Sequence, residues 1–160
     1  MKKIKALAML CTLCYLLPNQ AAMSVDAANS VASSTIATTR DDVKAGGLIA
    51  SYSLLIAADV QEVKITATTY GTDVMAKIGF VNIKVQRSSN GTSGWVTEQT
   101  PTDQTVSNSN YHDLYKFPVS VSGGYYYRVV LDHYAKETGW FFPSSQSVTN
   151  TSNVVWVPSS

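Results

Sequence analysis

The chain has 160 residues, with 12 Lys and Arg against 11 Asp and Glu, a formal charge of +1, and two cysteines. That balance offers no basic face for nucleic acid, and no long charge run marks a membrane-surface segment. The length suits a single domain.

The N-terminus reads as a secretory signal peptide over residues 1–27. MKKIK is a basic opening, and ALAMLCTLCYLL is an apolar run of 12 residues, short of the roughly 20 that a spanning helix needs. Val25 and Ala27 fit the small-residue rule for cleavage after Ala27, with a cut after Ala22 as the alternative. A lipoprotein signal does not fit, because Leu10 precedes Cys11 and Leu13 precedes Cys14, where lipid attachment takes a small residue. Both cysteines fall in the segment to be removed, so the remainder has no disulfide, thiolate nucleophile or cysteine ligand. That remainder is 160 − 27 = 133 residues with 12 − 3 = 9 basic and 11 − 1 = 10 acidic side chains. A chain of this size buries about two-thirds of its unfolded surface and can hold itself by packing alone.

Residues 28–46, ANSVASSTIATTRDDVKAG, are small and polar without a sustained period and read as a flexible leader. The dense domain spans 47–158. LIASYSLLIAA (48–58) is its first apolar run. VQEVKITATTY (60–70) alternates, with Val63, Ile65, Ala67 and Thr69 on one face. AKIGFVNIKVQRSS (76–89) places Val81, Ile83 and Val85 on one face but Ile78 and Phe80 on the other, which a bulge near Gly79 would reconcile. NGTSG (90–94) is a turn, WVTEQ (95–99) a short strand, and TPTDQTVSNSN (100–110) a polar loop. In YHDLYKFPVSV (111–121) the alternation puts Tyr115, Phe117, Val119 and Val121 inward, and Pro118 outward on an edge or strand end. PSSQSVTNTS reads as a polar connection to a last strand, NVVWV (153–157).

Helical periodicity is absent over any stretch of ten or more after the leader. Six or seven strands at roughly 8–12-residue spacing predict an all-β chain, a single antiparallel β-sandwich of immunoglobulin-like or fibronectin type III-like topology, with a closed barrel as the runner-up.

GGYYYRVVLDHY (123–134) concentrates three tyrosines, Arg128, Asp132 and His133. Written as a strand, it puts Tyr125, Tyr127, Val129 and Leu131 toward the core and Tyr126, Arg128, Val130 and Asp132 outward. A Gly turn followed by Tyr-x-Tyr-x-Val-x-Leu resembles strand F of immunoglobulin-like and fibronectin type III folds. The resemblance implies that Tyr125 or Tyr127 forms a tyrosine corner, its hydroxyl reaching back to the preceding turn. VNIKVQRSSNGTSGWVTEQ likewise resembles the strand C to C′ hairpin of bacterial fibronectin type III-like domains. With QRSSNGTSGW and GYYYRVVLDH, residues 48–157 resemble a family of short secreted proteins from Gram-positive gut bacteria. That resemblance implies a fold and an extracellular location, but no mechanism.

The chemistry-bearing residues are sparse. His112-Asp113 and Asp132-His133 fall on strands expected in opposite sheets, one histidine partly buried and the other exposed, so no metal or other cofactor is expected. Glu62, Glu98 and Glu137 and the scattered aspartates show no acid–base spacing, and no Gly-x-Ser-x-Gly elbow or phosphate-binding Gly loop appears. Candidate binding residues are the aromatics Tyr126 and Tyr134, Trp140 with Phe141 and Phe142 in the next loop, and Trp95; a corner that closes the sandwich is the alternative for WFFP (140–143). Trp95 has core-capping as its alternative, and Trp156 is expected to fill the core. The reading is a secreted, non-catalytic module for protein interaction or adhesion at or outside the bacterial surface. A carbohydrate-binding module is the alternative and a small hydrolase a residual one. The partner is a protein or glycan, with no nucleic acid and no membrane once the signal is removed. With no sorting signal after Pro158, free secretion is expected.

Overall fold

The computed structural model describes residues 47–139 and 141–159; the predicted signal peptide, the leader and Trp140 lie outside them. The described residues form nine strands in chain order: β1 (Ile49–Asp59), β2 (Glu62–Met75), β3 (Lys77–Ser88), β4 (Val96–Gln99), β5 (Gln104–Val106), β6 (Ser109–Ser120), β7 (Tyr125–Lys136), β8 (Ser145–Thr151) and β9 (Val155–Val157). One sheet has the order β1-β2-β6, and the other the order β4-β3-β7-β8, with β5 on β3 and β9 on β7. Every pairing is antiparallel. The chain is a two-sheet β-sandwich rather than a closed barrel. Two strands beyond the expected seven arise because the supposed polar connection before the last strand forms β8 and because the polar loop contributes the short β5.

Alternation builds the core. Val63, Ile65, Ala67 and Thr69 of β2 face inward and are fully buried, as are Tyr127, Val129, Leu131, His133 and Ala135 of β7. The main apolar cluster adds Ile56, Phe80, Ile83, Val85 and Leu114, and a smaller one gathers Leu48, Ile49, Met75, Ile78 and Ala135. Between them lies a mixed layer. Tyr52, Thr69 and His112 form one cross-strand row of the first sheet, opposite the Phe80–His133 pair of the second.

Two bulges correct the expected parities. On β3 the register shifts between Val81 and Lys84, with Asn82 in the left-handed region at φ 54°. The bulge therefore follows Phe80, so Ile78, Phe80, Ile83 and Val85 all face the core and Val81 does not. Gly79 serves another purpose: a Cβ there would lie 2.8 Å from Thr105 Cα, so β5 can cross it closely. On β6 the register shifts opposite Thr66, with Lys116 at φ 51°. Leu114 takes the inward place, and Tyr115, expected inside, is 74% exposed. Pro118 sits on β6, an edge strand of its sheet, where a missing N–H costs no ladder bond. The supposed polar connection 145–151 is β8, an edge strand whose exposure alternates.

Candidate functional site

The outer face of the β1-β2-β6 sheet carries the largest ordered set of exposed aromatics. Its cross-strand rows read Ser51–Tyr70–Tyr111 and Ser53–Thr68–Asp113, with Leu55 opposite Thr66 beside the β6 bulge. Tyr70 is 48% exposed and Tyr111 49%. Their rings stack at 5.9 Å between centroids and 25° between planes. Tyr115 stands four residues from Tyr111 along β6, with the Lys116 ammonium 5.2 Å from its ring centre. Lys116 N–H donates to Thr66 Oγ1 at 3.3 Å and so fixes the bulge that turns Tyr115 outward. At the far end of this face Lys64 lies between Asp59 and Glu62. Its contact with Asp59 lowers that carboxyl's pKa and raises that of the ammonium.

The outer face of the other sheet holds three of the residues singled out from sequence. Tyr126 and Trp156 are register partners in an edge-to-face pair at 4.9 Å. The 90–94 turn closes over Tyr126, since a Cβ at Gly91 would meet its ring at 2.9 Å. Trp95 is half-buried beneath Arg128, whose guanidinium carbon lies 4.4 Å from the indole centre. Gln86 Oε1 accepts from Arg128 Nε at 2.9 Å and fixes that stack. Trp95 thus packs on the outer face rather than capping the core, and Trp156, expected inside, is 48% exposed. Tyr134 is half-buried on the same face, opposite Gly79 and Ser147. Trp140 lies outside the described residues. The candidates from sequence therefore split between this face, the loop of Phe141 and Phe142, and an undescribed position. Tyr70 and Tyr111 were missed, although Tyr70 ends the clean alternation of β2 on the same parity as Lys64, Thr66 and Thr68.

Inside, the polar groups are structural in their connections. The buried Tyr127 hydroxyl lies 2.7 Å from Ser122 O and 2.7 Å from Glu98 Oε2. Glu98 Oε1 accepts from Ser122 N–H at 2.7 Å, and Arg87 Nη1 is 3.5 Å from Oε2. Burial and the adjoining carboxylate push the Tyr127 hydroxyl pKa up. Burial also acts to raise Glu98, but hydrogen bonds from Tyr127 and Ser122, with the charge of Arg87, outweigh it and hold its pKa down. Tyr125 is half-buried, with the Arg87 guanidinium 4.5 Å from its ring centre.

The strands bearing the two histidines fall in opposite sheets, yet both imidazoles lie against Phe80, with centroids at 5.5 and 5.6 Å. His133 is fully buried and His112 half-buried, so neither is exposed as expected. His133 Nδ1 lies 2.7 Å from Thr69 Oγ1, while Nε2 has no hydrogen-bond partner among the described residues. Burial lowers its pKa to about 4, against a smaller upward pull from Asp132. Among the described residues no three His, Cys, Asp or Glu side chains converge as a metal site. No family model, curated protein or solved structure matches the chain.

Proposed function

We propose that this protein is an exported, non-catalytic recognition module that binds a protein partner through the outer face of the β1-β2-β6 sheet. The observation that carries the reading is the exposed Tyr70–Tyr111 stack with Tyr115 beside it, set among Ser51, Ser53, Thr66 and Thr68. Tyrosines give large, rigid, amphipathic contact area at low entropic cost, and short hydroxyl side chains give adaptable hydrogen bonds; protein-binding paratopes use this combination. The strand orders β1-β2-β6 and β4-β3-β7-β8 support the fibronectin type III-like topology expected from sequence, a frame that often presents such faces. The signal-like N-terminus supports export.

Glycan stacking, the competing reading, needs open ring faces. Tyr70 and Tyr111 turn a face toward each other, Lys116 covers one side of Tyr115, and Arg128 covers one side of Trp95. Rings covered in this way offer hydroxyls and part of their faces, which suit a protein surface better.

The test compares the parent with Tyr70→Ser/Tyr111→Ser/Tyr115→Ser, both immobilised and exposed to surface proteins of the producing cell's neighbours. A defined protein retained by the parent and lost by the variant is the expected result. Affinity electrophoresis in polysaccharide gels runs alongside. Retardation by a glycan that the triple variant abolishes, with no protein retained, would replace this reading with the carbohydrate-binding one.

A further inference from the structure

We propose that the loop joining β7 to β8 docks the protein on an anionic lipid bilayer, with Phe141 and Phe142 among the acyl chains and Lys77 and Lys136 at the headgroup phosphates. This site is separate from the tyrosine face and does not depend on it.

The loop projects apolar surface that the fold does not use. Phe141 is 87% exposed and Phe142 97%. Phe142 also holds φ at 53°, a left-handed conformation that bulky residues rarely adopt. The base is closed by Glu137 N–H donating to Ser144 O at 3.0 Å, so the tip is presented by a pinned hairpin. Val74, also exposed, lies beside the start of the loop, where it and Met75 line a cleft of about 260 Å³ with Glu137 and Thr138.

Charge placement selects the partner. No residue from Thr138 to Ser160 is charged, so the tip can enter hydrocarbon without carrying an ion into it. At its base Lys77 and Lys136 are direct cross-strand neighbours on the outward face. Like charges so placed repel, and among the described residues neither has a carboxylate within ion-pairing distance. A phosphate would relieve that repulsion. Among the described residues the acidic groups at this end are Asp73, whose Oδ1 already accepts from Val74 N–H at 2.7 Å, and Glu137. Phe141 lies five positions beyond Lys136, a reach of at most about 18 Å. That reach covers the roughly 5–10 Å between headgroups and the depth at which interfacial aromatics lodge. A phosphate-bearing surface fits better than a purely apolar protein pocket, because the loop rises from the Lys77–Lys136 pair. No membrane partner was expected from sequence, because two adjacent phenylalanines form neither a charge run nor an amphipathic period.

The test is flotation with vesicles of phosphatidylcholine alone or mixed equally with phosphatidylglycerol. The parent, Phe141→Ser/Phe142→Ser and Lys77→Gln/Lys136→Gln are all purified from one exporting host so that they share an N-terminus. The parent should float with the mixed vesicles. The phenylalanine variant should lose at least about tenfold in partitioning for each ring removed. The lysine variant should lose the preference for phosphatidylglycerol, as should the parent in high salt. In Trp140→Phe/Phe142→Trp, compared with Trp140→Phe alone to subtract Trp95 and Trp156, the added indole should be quenched by brominated acyl chains, which reads the tip directly in a variant that keeps its aromatics. A parent that stays unbound, a phenylalanine variant that floats equally, or an unquenched indole would overturn the proposal; a protein pocket would then be the remaining destination for the tip.

Discussion

The side-chain amide of Asn153 takes the place of a neighbouring strand at Ile56. Its Oδ1 accepts from Ile56 N–H at 3.0 Å and its Nδ2 donates to Ile56 O at 3.1 Å. Ile56 lies on β1, an edge strand of 11 residues that carries no lysine or proline to discourage pairing with another chain. Near its other end Gln146 Oε1 accepts from the N–H groups of Leu48 and Ile49, at 2.6 and 3.0 Å. Two amides, Gln146 of β8 and Asn153 of the β8–β9 connection, thus block the edge.

Replacing Asn153 by Ala should therefore act twice. Loss of the paired hydrogen bonds should lower stability by about 1–2 kcal/mol in urea unfolding. It should also speed concentration-dependent aggregation, read by light scattering at neutral pH. Unchanged aggregation with lowered stability would limit Asn153 to a structural bond and leave the edge protected by other means.

The His133 pKa sets an acid limit on stability. Its folded-state value, about 4, lies below the ordinary 6.5 of an accessible imidazole. Between those values the unfolded chain binds the extra proton, so stability present at pH 7 falls as pH drops toward 4 and then levels. The full loss is about 3 kcal/mol. Urea midpoints followed from pH 8 to pH 4 should show it, and His133→Phe, which keeps the ring volume, should flatten that part of the curve. A parent curve already flat there would mean that His133 charges in the folded state without cost, and that the layer of Tyr52, Thr69, Phe80 and His112 admits water.

Gly79 should be intolerant of any side chain. A Cβ would press on Gln104 O and approach Thr105 Cα to 2.8 Å, in a backbone held at φ 148°. Gly79→Ala should cost at least about 2 kcal/mol, through strain at Gly79 and displacement of β5. Hydrogen exchange should localise the loss to Gln104–Val106. A variant with parental stability and β5 protection would show that β5 is not held by this crossing.

Alternation made β2 and β7 legible from residues alone, because their inward faces keep one phase throughout and are apolar but for Thr69 and His133. The inward place of His133 follows from the same parity as Tyr127, Val129 and Leu131, although its residue type argues for the surface. What alternation could not carry was a change of phase. Asn82 signals one weakly, since asparagine tolerates the left-handed region, but Lys116 gives no such signal, and with it Tyr115 moved from core to surface. The outward turn of Trp156 was readable between Val155 and Val157, of which Val157 is fully buried; the residue's bulk argued for the core and parity decided otherwise. Strand β8 was hidden because an edge strand with polar neighbours has little apolar pattern to show. The Tyr70–Tyr111 pair depends on β2–β6 register, which no local pattern fixes.

The Tyr127 hydroxyl should be a second, separable source of acid sensitivity. It stands 2.7 Å from both Ser122 O and Glu98 Oε2, and Glu98 is held below its ordinary pKa of 4.5. A depressed carboxyl stabilises the fold above its unfolded value and loses that contribution as pH falls through the folded one, so this loss begins where the His133 loss is ending. Tyr127→Phe should cost about 1–2 kcal/mol at pH 7, since it removes the one hydroxyl proton that Glu98 and the Ser122 carbonyl share. It should also shrink the decline below pH 4.5 while leaving the His133 window between pH 6.5 and 4 intact. Arg87, 3.5 Å from the same carboxylate oxygen, keeps Glu98 partly depressed in the variant, so the decline should diminish rather than vanish. A Tyr127→Phe curve parallel to the parent's at every pH would show that the hydroxyl contributes a bond but does not tune the carboxylate.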